Sequence, residues 1–408
     1  MYNDLESAVS LLRQGKPPGN CQLLAELSVG IDFLTDFWQE KYLDEYIQSG
    51  GSKIKFITGN MGSGKSHLLE LFGCIAKEKK YISVHCSAKN VWLHDFKELY
   101  AEILKQCGFI DCLKVCSEKV ILSLGFEPAS LPNDMSFAHY LASENLLDPL
   151  TKRELRKEIN GLFMQNPLID NNFAIACSLL IGNLLGYPNL EDHNEELLLQ
   201  WLLGSKEAKL PAVRKLGLSP SKITKYNARH MLRSLTEVIK IAGYNGFVIA
   251  VDDLEILTQT GSMEPIRYTK MKREDAYESI RQLIDEIDTL QNILFLFAFD
   301  KSLLENEILG FKSYQALWMR IQNEIQGERF NRFTDIVDLD KLASQEYDEN
   351  VLLEMSSKLA KILNASNNSA KPIDETEAQD ILSHSLYSPI SLAGQVNRAT
   401  VAMEVHHD

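Results

Sequence analysis

Short apolar runs alternate with helical periodicity in the first hundred residues and again after about residue 246, whereas the middle of the chain carries helical periodicity alone. Ile54, Phe56 and Ile57 make a β-prone run, and Leu68, Leu69 and Phe72 then fall on one side of a helix. A second strand at Tyr81 to Ser87 and a second helix at Asp95 to Gln106 complete a βαβα opening, which implies a parallel sheet. From about 109 to 240 helical patterns follow one another, broken at Pro128, Pro132, Pro149, Pro167, Pro188, Pro211 and Pro220, where a helix must end or kink. The β signal returns at Gly246-Phe-Val-Ile-Ala-Val-Asp-Asp, at Ile293-Leu-Phe-Leu-Phe-Ala-Phe-Asp and at Thr334-Asp-Ile-Val-Asp-Leu, as continuous apolar runs suited to strands buried on both faces. Beyond Asp340 the pattern is helical, interrupted by a polar loop at Asn364-Ala-Ser-Asn-Asn-Ser whose composition suits a mobile segment.

The expected fold is therefore α/β: a parallel five-stranded P-loop sheet with a large all-α insertion and a C-terminal helical lid. Residues 1–52 read as a helical segment leading into the core, 53–108 as the first half of that core, 109–240 as the insertion, 241–340 as the second half and 341–408 as the lid.

Chemistry enters between the first strand and its helix. Gly59-x-x-x-x-Gly64-Lys65-Ser66 is a phosphate-binding pattern, and its flanks supply the strand before and the helix after that such a loop requires. Gly59, Gly62 and Gly64 allow backbone torsions that a Cβ would forbid, so successive N–H groups can turn inward on a polyanion at a helix N-terminus. The whole stretch Gly59, Asn60, Met61, Gly62, Ser63, Gly64, Lys65, Ser66 and His67 is expected to cradle ATP. Lys65 would reach the β- and γ-phosphates, and the Ser66 hydroxyl would ligate Mg²⁺.

The run Phe247 to Val251 delivers Asp252 and Asp253 to the C-terminal edge of a strand, where open α/β sheets bind ligands. Asp252 is the expected second Mg²⁺ ligand. Asp253 stands where a water-polarising glutamate is more common, one methylene short, and Glu255 is a nearby substitute. Asp300 ends the next apolar run; it reads either as a polar sensor of the γ-phosphate or as the N-cap of the helix that Lys301-Ser-Leu-Leu-Glu begins.

Composition narrows the class. The 408 residues are enough for one large domain or two to three smaller ones, and 45% hydrophobic with 24% charged residues is the balance of a soluble globular protein. The start of the chain lacks a signal peptide's basic and apolar regions, and the longest apolar run, Phe173 to Leu185, is too short to span a bilayer, so a cytoplasmic protein without membrane contact is expected. Seven cysteines in such a chain suggest reduced thiols, and no Cys-x-x-Cys spacing marks a zinc site.

A formal net charge of −14 argues against indiscriminate coating of nucleic acid but leaves room for a local basic site. Between Lys206 and Lys240 nine basic residues face two acids. Lys222, Lys225, Arg229 and Arg233 recur at helical spacing there, so they line one face of an expected helix begun by Ser219-Pro220-Ser221, either against DNA phosphates or simply as a solvated face. Arg267, Lys270, Lys272 and Arg273 form a smaller basic group.

The order of P-loop, Asp252 strand, sensor strand, Arg-Phe before a last strand and helical lid resembles the AAA+ superfamily on its ORC/STAND side. More closely, Leu27-Ser-Val-Gly, Phe56 to Leu69, Leu216-Gly-Leu, Asn227-Ala with Leu232, and Ala242 to Glu255 resemble the BREX phage-defence ATP-binding family of BrxD. The resemblance implies a cytosolic ATPase that oligomerises, engages DNA and works beside a helicase, methyltransferase or other defence proteins; a homo-oligomer and double-stranded DNA are the expected partners, and a single strand is not favoured because Tyr226 is the one aromatic in the basic stretch. In ring-forming relatives an arginine placed like Arg329 or Arg332 stabilises γ-phosphate charge in the neighbouring subunit; a surface salt bridge is the other reading of both. Arg398 would act from the lid as a second sensor. The expected function is ATP-dependent assembly on DNA or a DNA-bound partner. Asp253 in place of glutamate keeps open a slow-turnover, nucleotide-gated signalling or scaffold module, while a P-loop small-molecule kinase is disfavoured because no acceptor site is recognisable.

Overall fold

The computed structural model describes residues 2–132, 135–259, 265–322, 330–365, 370–384 and 388–401. The strands β1 (Ser52–Thr58), β2 (Tyr81–Ser87), β3 (Gly246–Asp252), β4 (Ile293–Phe299) and β5 (Ile336–Asp338) form one parallel sheet in the order β2-β3-β4-β1-β5. The α/β class with five parallel strands is thus as expected. Every residue of β3 and β4 is buried, which is why their sequences are unbroken apolar runs rather than alternating ones. In β1 the register runs from Ser52↔Ile293 to Thr58↔Phe299 against β4, and Phe56↔Ile336 to Thr58↔Asp338 against β5. The C-terminal ends of these three strands therefore come to the same edge.

The chain divides into two compact units. The first comprises Met1–His94, Val248–Thr289 and Ile293–Asp408 and holds the sheet; its core joins Trp38, Phe72 and Leu34 to Ile57, Val248 and Leu296. The second, Asp95–Phe247 with Leu290–Asn292, is almost wholly helical. Its prolines punctuate as expected: Pro149 opens the helix Pro149–Phe163 just after Asp148, whose carboxylate accepts the Thr151 N–H.

Two expectations are corrected. Cys21 and Cys74 form a disulfide, because the helix Cys21–Leu27 lies against the helix Lys65–Glu78 and brings together two thiols 53 residues apart. The other five cysteines are buried and in no disulfide. Secondly, the basic helix begins only at Ala228, not at Ser219. Ile223 is buried, and the Asn227 side chain accepts the Thr224 N–H at 2.7 Å and donates to the Lys222 carbonyl at 3.1 Å. Those bonds hold residues 222–227 as a turn, so Lys222 and Lys225 do not share a helical face with Arg229 and Arg233.

Candidate nucleotide site

β1 ends at Thr58 and the helix Lys65–Glu78 starts seven residues later, so residues 59–64 must turn tightly. Gly62 and Gly64 take φ of 80° and 90°, the left-handed region that a side chain disfavours. Gly62 also meets the C-terminal helix Leu392–Val401: a Cβ on it would lie 2.7 Å from the Cα of Gly394. The Ser391 N–H donates to the Met61 carbonyl beside it, at 3.2 Å. Main chain from the C-terminal segment thus seats directly on the loop. Lys65 Nζ donates to the carbonyls of Gly59 (2.7 Å) and Asn60 (3.0 Å), which keeps the ammonium over the loop.

The carboxylates arrive from the neighbouring strands. Ser66 Oγ donates to Asp252 Oδ2 at 2.5 Å, and Asp252 is buried at the end of β3. A hydroxyl and a buried carboxylate converging beside the helix N-terminus are a donor set that suits a hard, oxygen-loving cation such as Mg²⁺. Asp253 follows in a left-handed conformation, φ 62°. Its carboxylate accepts from Ser87 Oγ and from Lys89 Nζ, both at 2.6 Å, and so is held toward the end of β2. Glu255 lies otherwise: its Oε2 accepts the N–H of Asp300 at 3.2 Å. Burial pushes its carboxyl above the usual range, with Asp253 and Asp252 acting in the same direction and Lys65 opposing. Asp300 Oδ1 accepts the Ser302 N–H at 3.0 Å, one residue before Lys301, the N-cap of the short helix Ser302–Glu305.

Sequence reasoning missed several members of this cluster. Ser87 and Lys89 are two. Lys301 is a third; its ammonium bridges Asp338 (3.1 Å) and Asp340 (3.0 Å), and Asp340 Oδ2 accepts the Asn60 N–H of the loop at 2.8 Å. Only the adjacency of Lys301 to Asp300 could have flagged it.

His67, in the first turn of the helix Lys65–Glu78, is half-buried. Ser28 Oγ gives its proton to the Leu24 carbonyl at 2.8 Å, so it can only accept from His67 Nε2, also at 2.8 Å. Burial lowers the imidazole pKa from 6.5 to about 4. The unfolded chain therefore takes up this proton first as pH falls. The stability contribution is whole above about 6.5 and is lost toward 4, by roughly 3 kcal/mol. Denaturant titrations from pH 7 to pH 4 should show this loss and a flatter profile in His67→Gln; equal slopes in both proteins would count against it.

The remaining expected residues lie elsewhere. Arg332 precedes β5, whereas the loop follows β1, so the two occupy opposite edges of the sheet. Its guanidinium covers the Phe37 ring at 4.6 Å and is exposed. Arg329 and residues 366–369 of the polar loop are outside the described residues. Arg398 is exposed, one helical turn beyond Gly394. In the second unit Arg229 is buried with its guanidinium 5.2 Å from the Phe96 ring, and Arg233 contacts His230 Nδ1 at 2.8 Å, while Lys222 and Lys225 are exposed.

The model of one family, described as BREX system ATP-binding protein BrxC/D, matches residues 4–402. No curated protein and no solved structure matches the chain.

Proposed function

The chain belongs to the BREX system ATP-binding protein BrxC/D family, and from that premise we propose that it is an AAA+-type ATPase of phage defence that assembles with ATP on DNA or a DNA-bound partner. The observation that carries the ATPase part is the convergence of Lys65, Ser66, Asp252 and Glu255 at one edge of the sheet.

Ser66 and Asp252 would hold Mg²⁺, which when bound offsets the negative charge that develops on the phosphates. Backbone N–H groups of Gly62 to Ser66 orient the phosphates, and Lys65 exchanges its loop carbonyls for phosphate oxygens. Glu255 is the better placed general base. A carboxyl with a raised pKa accepts a proton more readily near neutrality than an ordinary one, and among the described residues no cation forms a direct ion pair with it. Asp253, clasped by Lys89 and Ser87, acts as a support. Arg332 and Arg329 would serve a neighbouring copy of the chain, since Arg332 lies away from its own loop, and the exposed Arg398 would close on the phosphates from the C-terminal helices. Among the described residues no helix is long and apolar enough to cross a membrane, in keeping with work beside other cytoplasmic defence proteins.

The ion pair of Lys89 with Asp253 favours a second reading, a slow switch in which ATP is bound and barely turned over. Hydrolysis by the full chain, measured with and without duplex DNA, separates the two. On the ATPase reading Glu255→Gln lowers turnover about a hundredfold or more, the scale of a lost general base. Asp253→Asn leaves most of the activity. Activity lost in Asp253→Asn but kept in Glu255→Gln would return the base to Asp253; ATP binding without turnover in any protein would make the chain a switch.

A further inference from the structure

Between Gly204 and Asn227 the second unit carries Lys206, Lys209, Arg214, Lys215, Lys222 and Lys225 against a single acid, Glu207. All six cations are exposed, and among the described residues none of them pairs with a carboxylate. In a chain of net −14 six cations against one acid make a local positive field of the opposite sign to the whole.

The two ends of this segment are brought together. Trp201 Nε1 donates to the Ser221 carbonyl at 3.0 Å, and a Cβ on Gly204 would lie 3.3 Å from that of Ile223. The loop carrying Lys206 and Lys209 therefore adjoins the turn carrying Lys222 and Lys225. That turn is braced by Asn227 and anchored by buried Ile223, so its remaining side chains face outward on a fixed backbone. Beside Lys225 stands Tyr226, 86% exposed, with the Lys225 ammonium 5.6 Å from its ring centroid.

Exposed cations without carboxylate partners beside an exposed aromatic ring form the combination that single strands use: phosphates meet the charges and an unstacked base meets the ring. A duplex offers the ring nothing to stack on. Nor does a basic helix stand ready for a groove, because Arg229 is buried and Arg233 is turned to His230. We infer that the 204–227 segment of the second unit is a binding surface for single-stranded nucleic acid, with Lys222, Lys225 and Tyr226 at its centre. This builds on the DNA component of the function proposed above but is independent of ATP hydrolysis.

The test is fluorescence anisotropy of the full chain with a labelled oligothymidylate and with a duplex of the same length, over a salt series, with ATP affinity measured on the same proteins. The single strand should bind more tightly than the duplex. Tyr226→Ala should weaken it about tenfold. The double change Lys222→Glu and Lys225→Glu should weaken it further and reduce the salt slope by about 1.4, the value for two phosphate contacts on a single strand. Lys270→Glu, in the other basic group, should match wild type, and ATP affinity should not move in any of them. Equal binding of duplex and single strand with no effect of Tyr226→Ala would overturn the inference while leaving DNA as a ligand. Equally strong competition by polyglutamate would overturn it in favour of an acidic protein partner. Failure of the wild-type chain to bind either nucleic acid would overturn it together with the DNA component, and the ATP measurement would still judge the nucleotide site by itself.

Discussion

Replacing Lys65 by alanine should remove most ATP affinity without unfolding the chain. Among the described residues the ammonium donates to two carbonyls of its own loop, those of Gly59 and Asn60, and exchanging them for phosphate oxygens at a helix N-terminus gives charge-assisted bonds. Such bonds contribute about 1.5–3 kcal/mol each, so the loss of affinity should be on the order of a hundredfold. A fluorescent ATP analogue titrated into both proteins measures it. Because Gly59, Gly62 and Gly64 shape the loop independently of Lys65, thermal unfolding in the absence of nucleotide should change little. Lys65→Arg should fall between the two, since a planar fork replaces a compact point charge. Unchanged affinity in Lys65→Ala would mean that residues 59–66 do not bind the phosphates.

The second large effect concerns stability. Lys55 lies in the middle of β1 with 0% exposure, an unusual place for a lysine. Its ammonium donates to the carbonyls of Phe333 (3.0 Å) and Thr334 (2.6 Å), pairs with Asp335 at 3.3 Å and lies 4.8 Å from the centre of the Tyr42 ring. Lys55→Ala leaves two carbonyls and part of a carboxylate without their cation. Breaking a buried pair from one side costs about 3–5 kcal/mol, and Lys53, 2.6 Å from Asp335, should keep the cost near the lower figure. Urea denaturation should show this shift. Hydrogen exchange should rise first in residues 331–338, because Lys55 ties the Arg332-Phe333 segment to the sheet. Lys55→Met, which retains most of the volume, should recover the packing share of the loss but not the bonded share. A midpoint within experimental error of wild type would show that the buried ammonium is not structural.

These two lysines belong to different kinds of knowledge. Lys65 is singled out as an expected phosphate ligand by its neighbours in the chain, because a phosphate cradle needs glycine torsions, a cation and a hydroxyl in consecutive positions. Lys55 was invisible: its alternation in Lys-Ile-Lys-Phe reads as a strand with a solvated face, and only the return of the chain 278 residues later covers it. The same contrast runs through the acids. Asp252 was legible from the apolar run that precedes it. That Asp253 is clasped by Lys89, while Glu255 faces Asp300, depends on which strands become neighbours at the sheet edge. Arg229 shows the opposite error, a charge at helical spacing that belongs on a wet surface by pattern and is instead stacked on Phe96. In Cys21 and Cys74, composition argued for free thiols, whereas the packing of one helix on another paired them.

The amino-acid sequence by itself therefore determined the parallel α/β class, the glycine-rich turn between β1 and its helix and the strand that carries Asp252, since each rests on local requirements: backbone torsion, periodicity, and burial of a continuous apolar run. Only the tertiary structure decided which side chains meet across those elements, Lys89 with Asp253, Lys301 with Asp340 and the loop, Lys55 with the segment before β5, and which stay exposed, as Tyr226 does beside Lys225. A side-chain pair formed between residues distant in the chain is settled by the packing of the whole core, and a single position carries no local signal of where its partner will be.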